Sequence, residues 1–161
     1  YDTPAAVLVA PAPARGGMSY TLRAARAMPG SLLRTTVTFS PYHLVGSVER
    51  AHALFFSSTL PRPDVEKHFA RLQDDSFRAY LDFLAFGLPD TNIIRTRNIP
   101  MLILAAEQDR IFPTREIQAL GALYNSEVQV LPNTAHDVML EPTWQDTADR
   151  ILAWVEKSGI A

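Results

Sequence analysis

Apolar positions fall into distinct regimes along the chain. Residues 4–11 form a short unbroken apolar run between prolines, with β-branched Val7 and Val9, and predict a buried strand. From Pro11 to Gly17 the chain is rich in Pro and Gly and must be loop. The next eighty or so residues carry apolar positions at helical spacing in short stretches. One helix is expected over 19–27, stopping near Pro29-Gly30. Ser47 is placed to cap another, although Arg50 stands where a capping box would want Glu or Gln. A third covers 61–72, with Pro63 in its first turn and Val65, Phe69 and Leu72 on one face. A fourth covers 76–86, with Phe77, Tyr80, Leu81 and Leu84 as its stripe and a stop at Gly87-Leu88-Pro89. The longest strand candidate in this stretch is 35–39. The whole reads as a helical insert.

Near residue 98 the pattern changes. Residues 100–106 are continuously apolar without alternation, as in a strand covered on both faces. A loop follows at Glu107-Gln108-Asp109-Arg110. Pro113 then opens a helix with Ile117, Leu120, Gly121 and Tyr124 in one stripe, closed by Asn125-Ser126. Residues 127–131 alternate like a half-buried strand, and 132–137 are loop. Thr143, with Asp146 three residues later, resembles a capping box. It starts a final helix whose apolar face is Trp144, Ala148, Ile151, Leu152 and Val155, stopped by Ser158-Gly159. Strand, helix, strand, helix predicts two parallel strands joined by a right-handed crossover, and so an α/β fold.

Composition narrows the function classes. The 161 residues, 47% of them apolar, suffice for one domain with a real core. Fifteen Lys+Arg against seventeen Asp+Glu leave a formal charge of −2, a balance unsuited to nucleic acid or an acidic membrane surface. With no Cys there is no disulfide, thiolate metal site or cysteine nucleophile, which fits a reducing compartment and makes the cytoplasm the expected location. No apolar run is long enough for a membrane span. His43, His52 and His68 have no acidic partner at metal-ligand spacing and read as surface or satisfied polar residues. Neither a metal nor a cofactor is expected. Most of the insert's aromatics, Phe55, Phe56, Phe69, Phe77, Tyr80, Phe83 and Phe86, read as packing between helices, with some free to line an apolar acyl pocket.

Asp109 stands just past the strand ending near Ala106, and His136 just past the strand ending near Leu131. Open parallel sheets gather functional groups beyond the carboxyl ends of their strands, so adjacent strands would bring both residues to one edge. A carboxylate there accepts from His Nδ1–H, fixes the tautomer, and stabilises the imidazolium formed when Nε2 takes a proton. Alone, Asp109 reads as a solvated loop carboxylate. Asp137 is a rival acid, ranked lower because neighbouring loop residues tend to point apart. Phe112 and Val138 follow the two residues closely and are candidates to border a substrate.

Two stretches carry a resemblance: Pro100-Met101-Leu102-Ile103-Leu104-Ala105-Ala106-Glu107-Gln108-Asp109-Arg110-Ile111-Phe112-Pro113, and Thr134-Ala135-His136-Asp137-Val138-Met139-Leu140-Glu141-Pro142. They resemble the carboxyl-terminal half of the α/β-hydrolase fold, in its lysophospholipase/monoacylglycerol-lipase-like branch. That family orders its triad as Ser, then Asp or Glu, then His. The resemblance implies Asp109 as acid and His136 as base. It also implies residues 1–11 as a core strand of the hydrolase sheet, 12–97 as a helical cap, and 98–161 as the carboxyl-terminal core.

The family's nucleophile turn G-x-S-x-G and its oxyanion-hole loop have no counterpart here. The nearest string, Gly17-Met18-Ser19-Tyr20-Thr21, lacks the second Gly, and Ser19 reads as a helix cap. The chain is therefore expected to contain no nucleophile and to be inactive alone. Three strands with these helices would leave the first strand's edge open, which implies a partner carrying the amino-terminal half. The expected function is a serine-type carboxylic ester hydrolase acting on a monoacylglycerol or another small apolar ester. Alternatives are a non-catalytic binding module from a truncated hydrolase, or another reaction class of this fold such as an epoxide hydrolase, dehalogenase or lyase.

Overall fold

The unbroken apolar run after Pro100 becomes the middle strand of a three-stranded sheet. The computed structural model describes residues 3–159. Strands β1 (Ala6–Val9), β2 (Met101–Ala106) and β3 (Glu127–Leu131) are all parallel and lie side by side in that order. Register pairs Val7 with Leu102, Val9 with Leu104, and Ala106 with Leu131. Residues 102–106 are buried without a break, so β2 has a core on each face. Ile103 and Ala105 pack with Ile117 and Leu120, whereas Leu102, Leu104 and Ala106 pack with Leu131, Ile151 and Trp154. Period-two geometry thus splits one continuous apolar run between two cores.

Among the described residues, eight α-helices surround the sheet. Between β1 and β2 lie α1 (Met18–Ala27), α2 (Pro29–Thr38), α3 (Val48–Phe55), α4 (Arg62–Phe69), α5 (Phe77–Leu81) and α6 (Thr91–Arg97). After α5 the coil widens into a π-helical stretch, Asp82–Phe86, that ends at Gly87. Between β2 and β3 runs α7 (Thr114–Tyr124), closed by Asn125 in the left-handed conformation at φ 51°. Last comes α8 (Trp144–Ser158), closed by Gly159 at φ 63°. The fold is α/β, with most of its helices inserted between two adjacent strands. Among the described residues no helix is long and apolar enough to cross a membrane.

Four local expectations are corrected. Residues 35–39 form no strand, because Pro29 at the first helical position starts α2 there. Thr36 and Thr38 donate their hydroxyls to Leu32 O and Arg34 O at 3.0 and 2.8 Å, and Thr35 is buried, so tertiary packing overrides β propensity. Ser19 is not a cap. Gly17 holds that position, and Ser19 Oγ donates to Glu116 Oε2 at 2.8 Å. Thr143 precedes α8 but makes no side-chain cap, since its hydroxyl shares a 2.8 Å hydrogen bond with Thr134 Oγ1. Finally, α8 faces the sheet with Thr147, Ile151 and Trp154, leaving Trp144 and Leu152 exposed. The Ser47 cap forms as expected, with its Oγ accepting from Arg50 N at 3.3 Å.

Candidate active site

Beyond the carboxyl ends of β2 and β3 the two loops are zipped together before one reaches Asp109 and the other His136. Glu107 N donates to Leu131 O at 3.0 Å and Gln108 N to Thr134 O at 2.9 Å. Returning the favour, Asn133 N donates to Glu107 Oε2 at 2.8 Å. Asn133 turns the chain with φ 52°, a left-handed conformation that Asn tolerates well. The consequence is a fixed spacing between residues 109 and 136.

Asp109 is bound on both oxygens. Its Oδ1 accepts from Ile111 N at 2.8 Å and Phe112 N at 2.9 Å, an Asx-type turn that fixes the carboxylate plane. Its Oδ2 lies 2.8 Å from His136 Nδ1. The Asp109 side chain is 1% exposed and the His136 side chain 22%. An ionised carboxylate only accepts, so Nδ1 carries the hydrogen and Nε2 of the neutral ring is left as a base. The pair expected from the sequence is thus brought together, and the hydrogen bond goes to Asp109 and not to the rival Asp137. The ring Nδ1 of His136 bonds Asp109, while burial pushes the Asp137 carboxyl up, opposed by His136 and His68 and reinforced by Glu141 and Asp109.

Aromatic rings bound the imidazole. Phe112 meets it edge-on with centroids 5.7 Å apart, and Phe55 of the helical insert lies tilted at 6.2 Å. Phe112 is itself buried, with Phe83 against it at 5.9 Å. Val138 sits elsewhere, in the core with Leu102, Leu104, Ala106 and Leu131. Of the other histidines, His52 shares a 3.0 Å hydrogen bond with Ser57 O, and His68 stacks on Phe56 at 5.5 Å. Among the described residues the hydrogen bond recorded for the His136 ring goes to Asp109 and not to a serine hydroxyl.

Two charged contacts were not visible in the sequence. Arg23 of α1 donates to Glu116 Oε1 of α7 at 2.6 Å and to Ile111 O at 2.5 Å, tying the insert to the Asp109 loop. Glu141, 1% exposed, accepts from both Ser57 N and Ser57 Oγ at 2.6 Å, tying the insert to the His136 loop. Each partner lies 80 residues or more away in the chain, and no local pattern marks either pair.

Comparison with solved structures places this arrangement among known folds. One thermophilic esterase superposes with a TM-score of 0.57 at 19% identity, over 96% of this chain and 57% of its own. A thermophilic esterase from Thermogutta terrifontis, solved with malate bound, gives 0.60 at 18% identity over 94% and 55%. The chain shares its fold with esterases. It spans a little over half the length of each. No protein-family model matches the chain, and no curated protein matches it.

Proposed function

We propose that this chain supplies the acid and base of a serine-type carboxylic ester hydrolase, with Asp109 and His136 serving a Ser contributed by an amino-terminal half. The observation that carries this reading is the 2.8 Å contact between Asp109 Oδ2 and His136 Nδ1 at the carboxyl ends of adjacent parallel strands. In the assembled protein, His136 Nε2 takes the serine proton as the oxygen attacks the ester carbonyl, then returns it to the departing alkoxide. Asp109 holds the ring and stabilises the transient imidazolium. Residues 12–97 act as a cap, and the substrate is a small apolar ester such as a monoacylglycerol.

The open side of the sheet supports a partner. Ala6 N and Ala10 N donate to Pro100 O and Leu104 O at 3.0 and 2.9 Å, so the intervening Val7 and Val9 turn their backbone groups toward the free edge of β1. Alongside runs an apolar groove of about 430 Å³, lined by Leu8, Leu88, Ile93, Ile94, Ile99 and Leu120 among others. An uncovered edge beside an apolar groove is what a further strand and its crossover helix would fill.

The test is turnover of nitrophenyl esters by this chain combined with an amino-terminal hydrolase half bearing the serine. His136→Ala is expected to remove the turnover while the pair still assembles. Activity retained by that variant, or no activity from a properly assembled wild-type pair, overturns the assignment.

A further inference from the structure

We propose that Glu141 is a positioning residue for His136, locking the imidazole through the helical insert. The 137–141 segment and residues 55–57 are laced side by side by three hydrogen bonds. Asp137 N donates to Phe55 O at 2.9 Å, and Ser57 N and Ser57 Oγ each donate to the Glu141 carboxylate at 2.6 Å. Thr59 Oγ1, 2.7 Å from Ser57 Oγ, donates in turn to the serine oxygen whose proton is committed to Glu141. His52 approaches from α3, its Nε2 3.0 Å from Ser57 O.

A carboxylate this buried is costly unless its hydrogen bonds are good, and these bonds are short and charge-assisted. No Arg or Lys is hydrogen-bonded to Glu141 among the described residues, so the charge rests on the two Ser57 donors. An apolar residue would fill the same space at less cost. What the carboxylate adds is a rigid grip on Ser57, two residues from the ring of Phe55, which itself packs 6.2 Å from the imidazole.

Inside Glu141's own segment the chain is tightly wound. Val138 N donates to His136 O at 2.9 Å, Leu140 N to Asp137 O at 2.8 Å, and Glu141 N to Val138 O at 3.3 Å. Displacing Glu141 therefore displaces the backbone of His136 through a short, stiff turn. The 2.8 Å contact with Asp109 is the quantity at stake. The catalytic meaning of this lock rests on the reading of His136 as a base, but the lock itself is measurable without substrate or nucleophile.

The experiment uses the full chain as isolated, with imidazole nitrogens labelled. There are four histidines, and His136→Gln assigns the relevant signal. Wild-type protein should show a slowly exchanging downfield Nδ1–H proton for His136. Glu141→Ala should speed its exchange at least tenfold or erase it. Glu141→Gln keeps one acceptor and gains a donor for Ser57 Oγ, and should hold exchange within about twofold of wild type. Leu120→Ala, a core truncation on α7, should lower the melting temperature and leave the proton in place.

Should Glu141→Ala fail to fold, Ser57→Ala removes only the hydroxyl bond and should give an intermediate, three- to tenfold, acceleration. An unchanged His136 proton in the folded Glu141→Ala protein, or in Ser57→Ala if that is the variant that folds, overturns the proposal. Equal loss in Leu120→Ala overturns it as well, because the effect would then follow general stability. Failure of ester turnover with this lock intact would count against the proposed function alone.

Discussion

Asp109 presents one carboxylate oxygen to two backbone N–H groups and the other to His136 Nδ1 at 2.8 Å, so the carboxylate is itself held where it holds the imidazole. Replacement by Asn separates these tasks. The amide oxygen would still accept from Ile111 N and Phe112 N, but the NH₂ group would face Nδ1 and force the hydrogen onto Nε2. A ring in that tautomer cannot take a proton from serine. On the proposed function, Asp109→Asn is therefore expected to lower kcat for ester turnover by the assembled protein by about 10³–10⁴-fold with KM little changed. Ester turnover kinetics of the variant check this, and a loss below tenfold would remove Asp109 from the mechanism.

Arg23 and Glu116 join the insert to α7 at 2.6 Å, with the guanidinium also on Ile111 O and Ser19 Oγ on the other carboxylate oxygen. Arg23→Met would leave a mostly buried Glu116 holding only the serine hydroxyl. Because the arginine side chain is 32% exposed, water softens the loss, and the expected cost is about 1–3 kcal/mol in urea unfolding. Adding Glu116→Gln should recover part of it, since the stranded charge is then gone. Additive costs for the two changes would show that the ion pair contributes nothing of its own.

What the sequence made legible follows from how local each signal is. The run from Met101 to Ala106 has only one comfortable place, the middle of a parallel sheet, and the loops after it and after β3 had to meet. Asp109 and His136 were readable for that reason. The insert was harder, because short helices take their stability from packing more than from their own residues. The β-branched 35–38 stretch turned into α2 once Ser31 and Thr35 were buried and Arg50 Nη1 reached Ser31 Oγ at 2.7 Å. On α8 the apolar residues cover a stripe wider than the sheet needs, and Trp154 rather than Trp144 meets it. Glu141 looked like any loop carboxylate, since the serine that buries it is 84 residues away.

Gly121 sets the fit of α7 against β3. A Cβ at this position would run into the side chain of Val128 and approach Ser126 O to 3.1 Å. Helix propensity favours Ala over Gly by about 1 kcal/mol, whereas overpacking a tight contact costs about 1–3 kcal/mol. The clash with the stiff, β-branched and partly buried Val128 should win, so Gly121→Ala is expected to be net destabilising in thermal or urea unfolding. Coupling it with Val128→Ala should make the second change cheaper than it is alone. A stabilised single variant would mean that β3 moves away from the helix at little cost.

Asp137 gives a pH dependence with a definite sign. Burial is the largest cause raising its carboxyl, and the opposing influence of the His136 and His68 rings does not cancel it. In the unfolded chain the group ionises near the ordinary carboxyl value of about 4. As pH rises through that value the unfolded state loses its proton first, so folding is progressively disfavoured until the folded carboxyl also ionises. Below it, both states are protonated and the penalty is absent. Asn cannot ionise, so Asp137→Asn should melt at a higher temperature than wild type at pH 7, with the gap closing as the pH falls toward 3. Melting curves across pH 3–8 check both the sign and the window. A gap that widens on acidification would mean that the Asp137 carboxylate is stabilised in the fold, and that the histidines beside it outweigh its burial.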